Sequence, residues 1–276
     1  FARTAKKTLA DARETSASCI GAQSYEIYFT SGGTESDNWA IKGTALADSK
    51  KGALVTTAFE HHAVLHAAEA IEMMLYPVAY MWPSKTGFIE PQVVQQTICD
   101  TTRMYSVMMA NNELGTIQPI KELCRIAHDH GALFHTDAVQ AVGHIPNDVS
   151  ELGIDLLSAS AHKFNGPKGV GFLYIRKGTK IRPYADGGSQ EHKMRAGTEN
   201  VAGIVGMATA LKVNCEKMSE NVSHIRSLES RLLNALDNIG VIYHRNGAAP
   251  FLPGLLSLSF PGFEGEAILH RMDLMG

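Results

Sequence analysis

Short apolar segments alternate with amphipathic segments along most of the chain, and this alternation limits the folds that its 276 residues can adopt. The apolar segments have strand lengths, and several stretches between them have the spacing of a helix with one apolar face. Strands that alternate with helices favour a mainly parallel sheet covered by helices on both faces, so we predict an α/β fold. The predicted strands are residues 25–30, 53–57, 78–81, 105–110, 133–135, 156–160 and 170–175.

The pattern changes towards the C-terminal end, where long helical stretches replace the regular alternation. We therefore predict a large α/β domain over residues 1–220 and part of a smaller α+β domain over residues 221–276. The elements predicted after residue 200 are helices at 201–218, 225–236 and 264–272 and a strand at 255–260.

The charge and hydropathy of the chain give no support for a nucleic-acid or membrane partner. Lys and Arg number 25 and Asp and Glu number 28, which gives a formal net charge of −3. A near-neutral chain without a basic cluster lacks the electrostatic footprint of a nucleic-acid or membrane-surface protein. No apolar run approaches the roughly 20 residues that span a bilayer.

The cysteines and histidines predict no metal site. Four cysteines lie far apart without a CxxC pair, which indicates neither a zinc site nor a disulfide framework and suits a reducing, cytoplasmic compartment. Glu60, His61 and His62 are adjacent, and neighbouring side chains on a strand would point to opposite faces rather than share an ion. The cysteines are Cys19, Cys99, Cys124 and Cys215.

A polar segment, residues 31–36 (SGGTES), follows the first predicted strand and opens a predicted helix. Its glycines, including Gly33, would let the backbone approach an anion, and Thr34 adds a hydroxyl. Free N–H groups at the start of a helix favour phosphate binding. The segment lacks the spacing of the glycine-rich nucleotide-binding loops, so taken alone it is better explained as a simple strand-to-helix turn.

Two further polar residues follow predicted strands, where ligands bind in open α/β sheets. Asp137 ends an apolar strand, so it is either a helix N-cap or the partner of a buried cation such as a protonated ring nitrogen. Lys163 lies before a tight turn, so it is either a surface lysine, as we interpret Lys168, or a nucleophile partly removed from water. A phosphate cradle, a carboxylate and a Schiff-base lysine together are what pyridoxal 5′-phosphate requires.

Over nearly its whole length the sequence resembles the cysteine desulfurases, a class V group of the fold-type I pyridoxal-phosphate enzymes. Six motifs carry the resemblance, and their order and spacing together are highly specific. The resemblance implies a fold-type I architecture in which a mainly parallel central sheet is flanked by helices. The motifs are FTSGGTESDN (29–38), EHHAV (60–64), NNELG (111–115), HTDAVQAVG (135–143), SASAHKFNGPKGVGFLY (158–174) and MRAGTEN (194–200).

The resemblance also implies a role for each site residue. Lys163 would hold the aldehyde of the cofactor and act as a catalytic base, and Asp137 would pair with the pyridine nitrogen. His61 would stack on the ring and move protons, although without the neighbouring motifs it reads as a structural histidine. Thr198 would reach the phosphate in the neighbouring subunit of a homodimer. The other cofactor-binding residues would be Gly33, Thr34, Ser160 and His162 at the phosphate, and Asn112 and Gln140 near the ring oxygen or the substrate.

The implied reaction converts L-cysteine to L-alanine and transfers sulfur to an enzyme persulfide, for an acceptor protein in iron–sulfur cluster or thio-cofactor assembly. The cysteine that carries the persulfide and the arginine for the substrate carboxylate are expected beyond Gly276, and the opening segment of the small domain before Phe1. Two alternatives stay open. One is another class V enzyme, either a selenocysteine lyase or an aminotransferase. The other is a non-catalytic desulfurase-like subunit, against which Lys163, Asp137 and Gln140 argue.

Overall fold

A seven-stranded sheet forms the centre of the protein. The structure, a computed structural model, describes residues 2–48, 50–97 and 99–276. The strands of the sheet are β1 (Ile27–Thr30), β2 (Ala53–Thr57), β3 (Val78–Met81), β4 (Thr102–Ser106), β5 (Leu133–Asp137), β6 (Leu156–Ser160) and β7 (Gly171–Ile175).

The strand order is β1-β7-β6-β5-β4-β2-β3, and most neighbouring strands are parallel. The pairings β2–β3, β2–β4, β4–β5 and β5–β6 are parallel. Only β7 runs in the opposite direction, antiparallel to both β1 and β6. The carboxyl ends of β1, β2, β4, β5 and β6 therefore lie along the same edge of the sheet. The prediction of a mainly parallel α/β sheet is confirmed.

Helices cover both faces of the sheet. Successive side chains of a strand point to opposite faces, and in β7 Phe172 and Tyr174 join one hydrophobic cluster while Leu173 and Ile175 join the other. Trp39 belongs to this second cluster. The helices are α1 (Ala2–Ser18), α2 (Gly33–Ala45), α3 (His62–Met73), α4 (Pro91–Thr97), α5 (Ile120–Asp129), α6 (Val149–Leu152), α7 (Val201–Glu216), α8 (Met218–Asn238) and α9 (Gly265–Met275).

The two clusters assign the helices to the faces. Helices α1, α5 and α7 contribute to the first cluster, and α2 and α3 contribute to the second. Burial on both faces explains why the central strands read as continuous apolar runs rather than as alternating ones. No helix in the described part of the chain is long and apolar enough to cross a membrane.

Most predicted elements lie where the sequence placed them, and the differences have local causes. The bounds of β2, β3 and β6 are those predicted. β4 begins three residues before the strand predicted at 105–110, because its first residues, Thr102 and Arg103, are polar, and it ends four residues before the predicted end. The short helices α4 and α6 were not predicted, since seven and four residues carry too little periodicity.

The last part of the chain forms a separate pair of short strands, β8 (His244–Arg245) and β9 (Leu258–Ser259). The strand predicted at 255–260 is thus reduced to two residues, and β8 was not predicted. None of the residues of helix α8 is buried. The predicted domain boundary at residue 220 falls within α8, and it stays a prediction.

Candidate active site

A cavity of about 510 Å³ opens at the edge of the sheet where the parallel strands end. Open α/β sheets bind their ligands at this edge. The structure brings nine of the ten predicted cofactor-binding residues to this one cavity, although they are spread over more than 120 positions of the sequence. They are Gly33, Thr34, His61, Asn112, Asp137, Gln140, Ser160, His162 and Lys163.

Thr198 is the predicted residue that the structure does not bring to this cavity. It lines a smaller neighbouring cavity of about 120 Å³, together with Arg195. Ser31 and Gly169 line both cavities, so Thr198 lies next to the main cavity rather than in it. Its predicted contact with a phosphate in a second subunit stays a prediction.

One end of the cavity is built from the backbone at the start of α2. Gly32 precedes the helix with φ at 149°, a conformation that favours glycine, and no side chain of the described residues caps the helix there. The first N–H groups of a helix have no acceptor within the helix, so those of residues 33–35 are available to an anion. Gly33 is buried, and a Cβ there would lie 2.6 Å from Cγ2 of Val139.

Hydroxyl and imidazole groups from the end of β6 face the same end of the cavity. The Oγ of Ser160 lies 3.0 Å from Nδ1 of His162, so the two side chains hold each other in place. Loss of water contact and the charges of Lys163 and Lys168 lower the pKa of His162, which favours its neutral ring. This end therefore offers N–H and O–H donors, the set that suits a phosphate group.

An ion pair that the sequence analysis missed connects this end of the cavity to the segment that carries Thr198. Glu35, in the first turn of α2, accepts hydrogen bonds from Nε of Arg195 at 2.8 Å and from the hydroxyl of Ser31. Burial opposes the charge of Glu35, but these hydrogen bonds outweigh burial and hold its pKa below the usual value. The sequence feature that could have indicated this ion pair is Glu35, the acidic residue of the polar segment 31–36.

The other end of the cavity contains buried carboxyl groups. Asp137 is the last residue of β5, and its Oδ1 accepts a hydrogen bond of 2.9 Å from the N–H of Val139. No helix begins at Asp137, so the N-cap alternative is wrong: the contact closes a local turn after β5, and it leaves Oδ2 for another partner. Burial raises the pKa of Asp137, although the Val139 N–H and the charges of His61 and Lys163 act in the opposite direction.

Asp37 lies beside Asp137 and was not predicted as a site residue. It is buried, its Oδ1 has no hydrogen-bond partner among the described residues, and it lines the cavity. Burial and the nearby carboxyl of Asp137 raise the pKa of Asp37 well above its usual value. The sequence feature that could have identified Asp37 is its position on the same face of α2 as the buried Ala40 and Ile41.

Carboxyl and imidazole atoms of Asp37, His61 and Asp137 lie within 4.8 Å of one another. We predicted no metal site on the assumption that residues 60–62 form a strand. They do not, because His61 is the N-cap of α3. Nδ1 of His61 accepts a hydrogen bond of 3.1 Å from the N–H of Ala63, which assigns the proton of the neutral ring to Nε2.

Lys163 lies in a short 3-10 turn, Ala161–Phe164, directly after β6. The first and last residues of this turn are buried, whereas His162 and Lys163 are exposed and line the cavity. Of the two alternatives for Lys163, its exposure agrees with a solvent-accessible lysine rather than one removed from water. Lys168, interpreted as a surface lysine, is also exposed, and it lines the cavity too.

These residues fit pyridoxal phosphate in three respects. Free helical N–H groups next to Gly33, a position that a Cβ would fill, suit the phosphate. Buried carboxyl groups in the same cavity, with an unpartnered oxygen on Asp37, suit a protonated ring nitrogen. The exposed amine of Lys163 opens into the same cavity, where it is free to react with an aldehyde.

Comparison with known proteins agrees with this geometry. The family described as aminotransferase class-V matches residues 1–276. The chain is 48% identical over 278 residues to cysteine desulfurase IscS of Dictyoglomus turgidum, covering 100% of this chain and 71% of that protein. It is 46% identical over 275 residues to cysteine desulfurase IscS of Methanosarcina thermophila, covering 99% of this chain and 68% of that protein.

Among solved structures, that of a NifS-like protein has a TM-score of 0.95 and 39% sequence identity, and the match covers 100% of this chain and 76% of that one. The chain belongs to the aminotransferase class-V family and, within that family, to the cysteine desulfurases. The resemblance drawn from six sequence motifs and the fold-type I architecture that it implied are confirmed.

Proposed function

We propose that this chain carries the cofactor-binding part of a pyridoxal-phosphate-dependent cysteine desulfurase, which forms L-alanine from L-cysteine and transfers the sulfur to a cysteine of the enzyme. One observation carries the proposal. An exposed lysine, Lys163, a buried carboxyl, Asp137, and free N–H groups at the start of α2 line a single cavity of about 510 Å³. Identities of 46% and 48% to cysteine desulfurases support this substrate over others of the family.

When bound, pyridoxal phosphate supplies an electron sink for the substrate Cα. The residues of this chain then divide the remaining work. The N–H groups of residues 33–35, with Thr34, Ser160 and His162, would bind the phosphate, and Asp137 would keep a proton on the ring nitrogen. Lys163 would hold the aldehyde and afterwards remove and return the proton at Cα. Asn112 and Gln140 would contact the ring oxygen or the substrate.

His61 has a place in this scheme as a second proton carrier. Because its Nδ1 accepts the Ala63 N–H, the proton of its neutral ring is on Nε2. The ring is exposed and lines the cavity, which suits both stacking on the cofactor ring and proton transfer.

The proposal extends to the partners of the enzyme. Thr198, outside the main cavity, would bind the phosphate held by the second subunit of a homodimer. None of the four cysteines lines the cavity, which supports a sulfur-accepting cysteine supplied by another part of the protein. A sulfur-acceptor protein in iron–sulfur cluster or thio-cofactor assembly, in the cytoplasm, completes the proposal.

The test uses the full-length protein loaded with pyridoxal phosphate, given L-cysteine and a thiol reductant. We expect alanine and sulfide in equal amounts, and we expect both to be lost in Lys163→Ala. Lys180→Ala is the matched control, since Lys180 is exposed and lines neither cavity. A protein that binds the cofactor but forms neither product would contradict the desulfurase activity and leave the cofactor site standing.

A further inference from the structure

Three carboxyl groups are buried beside the cavity, and they belong to Asp37, Glu60 and Asp137. A buried carboxylate is unfavourable unless hydrogen-bond donors or a cation compensate for the lost water. Oε1 of Glu60 accepts hydrogen bonds from the Thr57 hydroxyl and the Met108 N–H, whereas its Oε2 has no partner among the described residues. Oδ1 of Asp37 has no donor among the described residues.

The surroundings of Asp37 come from the sheet beneath α2 and from the segment before α3. The nearest imidazole, that of His135, has its Nε2 3.7 Å from Oδ1 of Asp37. The hydroxyl of Ser158 on β6 also contacts Asp37. The titratable groups that face Asp37 are His135 and Asp137 on β5, and Glu60 and His61 in the segment before α3.

His135 does not supply the missing positive charge. Its Nδ1 lies 2.8 Å from Oγ of Ser106, and its Nε2 lies 3.0 Å from Oγ of Ser158, so both ring nitrogens already have partners. Complete burial lowers the pKa of His135 to about 3, and its ring is therefore neutral at pH 7. Asp37 consequently faces no cation on the side of β5.

Asp137, the other member of the pair, has more groups that stabilise its charge. The Val139 N–H, the charge of Lys163, and that of His61 when its ring is protonated favour the ionised form of Asp137. Carboxylate oxygens of Asp37 and Asp137 lie within 4.8 Å of each other, and two buried negative charges at that distance repel strongly. A pair of this kind retains one proton. We assign it to Asp37, because Asp137 accepts the Val139 N–H, whereas Oδ1 of Asp37 has no donor among the described residues.

We propose that Asp37 is a positioning residue that remains a neutral carboxylic acid, so that Asp137 carries the only negative charge of the pair. This inference rests on the proposed function, because the charge on Asp137 is then the one that faces the ring nitrogen of pyridoxal phosphate. The proton on Asp37 also provides a donor beside the Asp137 carboxylate. An ionised Asp37 would instead offer the ring nitrogen a second, competing partner.

Two substitutions separate this role from simple packing. Asp37→Asn keeps the size of the side chain, carries N–H donors at every pH and cannot ionise. Asp37→Leu has a comparable size but offers no donor. If the neutral acid is the working form of Asp37, the Asn variant reproduces it and the Leu variant does not.

The first measurement is the infrared absorption of protonated carboxyl groups in the full-length protein at pH 7, recorded without added cofactor. We expect the wild type to show one such group that Asp37→Asn lacks. Glu60→Gln identifies the contribution of Glu60, whose pKa burial raises to about 8. A spectrum of Asp37→Asn that retains the whole absorption would show an ionised Asp37 in the wild type and overturn the proposal.

The second measurement is the dissociation constant for pyridoxal phosphate. We expect Asp37→Asn to stay within about threefold of the wild type and Asp37→Leu to bind roughly tenfold more weakly, the size expected for one buried hydrogen bond to a charged group. Equal weakening in both variants would overturn the donor role. A wild type that does not bind the cofactor would contradict the proposed function, and the infrared result would still decide the charge of Asp37.

Discussion

The two ends of the cavity are built from different kinds of group. The end at α2 consists mainly of backbone N–H groups, held by the conformation of Gly32 and by the close contact of Gly33 with Val139. The other end consists of side-chain carboxyls, Asp37 and Asp137, that are buried and close together. Binding at the first end therefore depends on the shape of the backbone. Binding at the second end depends on which carboxyl group carries a proton and which carries a charge.

The largest expected effect is at the carboxyl end. Asp137→Asn removes the charge that would hold a proton on the ring nitrogen, while the size of the side chain stays the same. We expect alanine formation to fall on the order of 10²-fold or more, the usual cost of losing a preorganised electrostatic contact. Alanine release by the loaded full-length protein measures it. Activity within about threefold of the wild type would show that this end does not depend on the charge of Asp137.

A second expected effect concerns the pH dependence of stability at the same end. Burial raises the pKa of Glu60 to about 8 in the folded protein, whereas its ordinary value in the unfolded chain is 4.5. Between these two values the folded state keeps the proton and the unfolded state loses it. Stability from this group is thus present at low pH and lost as the pH rises from about 4.5 to 8. Each pH unit in this window changes the unfolding constant by up to about tenfold.

Glu60→Gln keeps an acceptor for Thr57 and Met108 and removes the titration. We expect denaturant unfolding of this variant to depend less on pH between 5 and 8 than that of the wild type. Glu122→Gln is the control, because Glu122 is an exposed residue of α5. Identical pH profiles for Glu60→Gln and the wild type would contradict a protonated Glu60 in the folded protein.

The third expected effect tests the end that depends on shape. In Gly33→Ala the new Cβ would lie 2.6 Å from Cγ2 of Val139, so one of the two segments must move. Overpacking of this kind costs about 1–3 kcal/mol, and we expect pyridoxal phosphate to bind roughly tenfold more weakly. Val139→Ala removes the contacted methyl group, so the double variant should recover most of the affinity. Equal weakening in the single and double variants would exclude this contact as the cause.

The sequence predicts which residues line the cavity better than it predicts their burial and protonation. Residues such as Asp137 and Lys163 follow apolar strands, and the parallel arrangement then brings them together, so their proximity follows from the fold class. Asp37 could not be assigned in this way, because an acidic residue in a helix usually belongs to a solvated face. Its burial results from the packing of α2 on the sheet, mainly on β6 and β7, which local sequence does not encode.

The same limit explains the differences in the fold. The apolar runs of β2 and β6 have clear polar borders, and both strands have the predicted bounds. The polar residues Thr102 and Arg103 belong to β4 because pairing with a neighbouring strand places them there, as Thr102 pairs with Ala53. Pairing over some 50 positions does not appear in a local pattern.

The position of β1 in the sheet has a consequence for how the protein is made. β1 lies at the edge, and β7 is the strand with which it pairs in the described residues. During synthesis residues 31–36 therefore leave the ribosome more than 130 residues before Gly171–Ile175, the strand that fixes them to the sheet. Contacts between such distant segments form late in folding. We expect a nascent chain to bind its cofactor only after the last strand of the sheet has been translated.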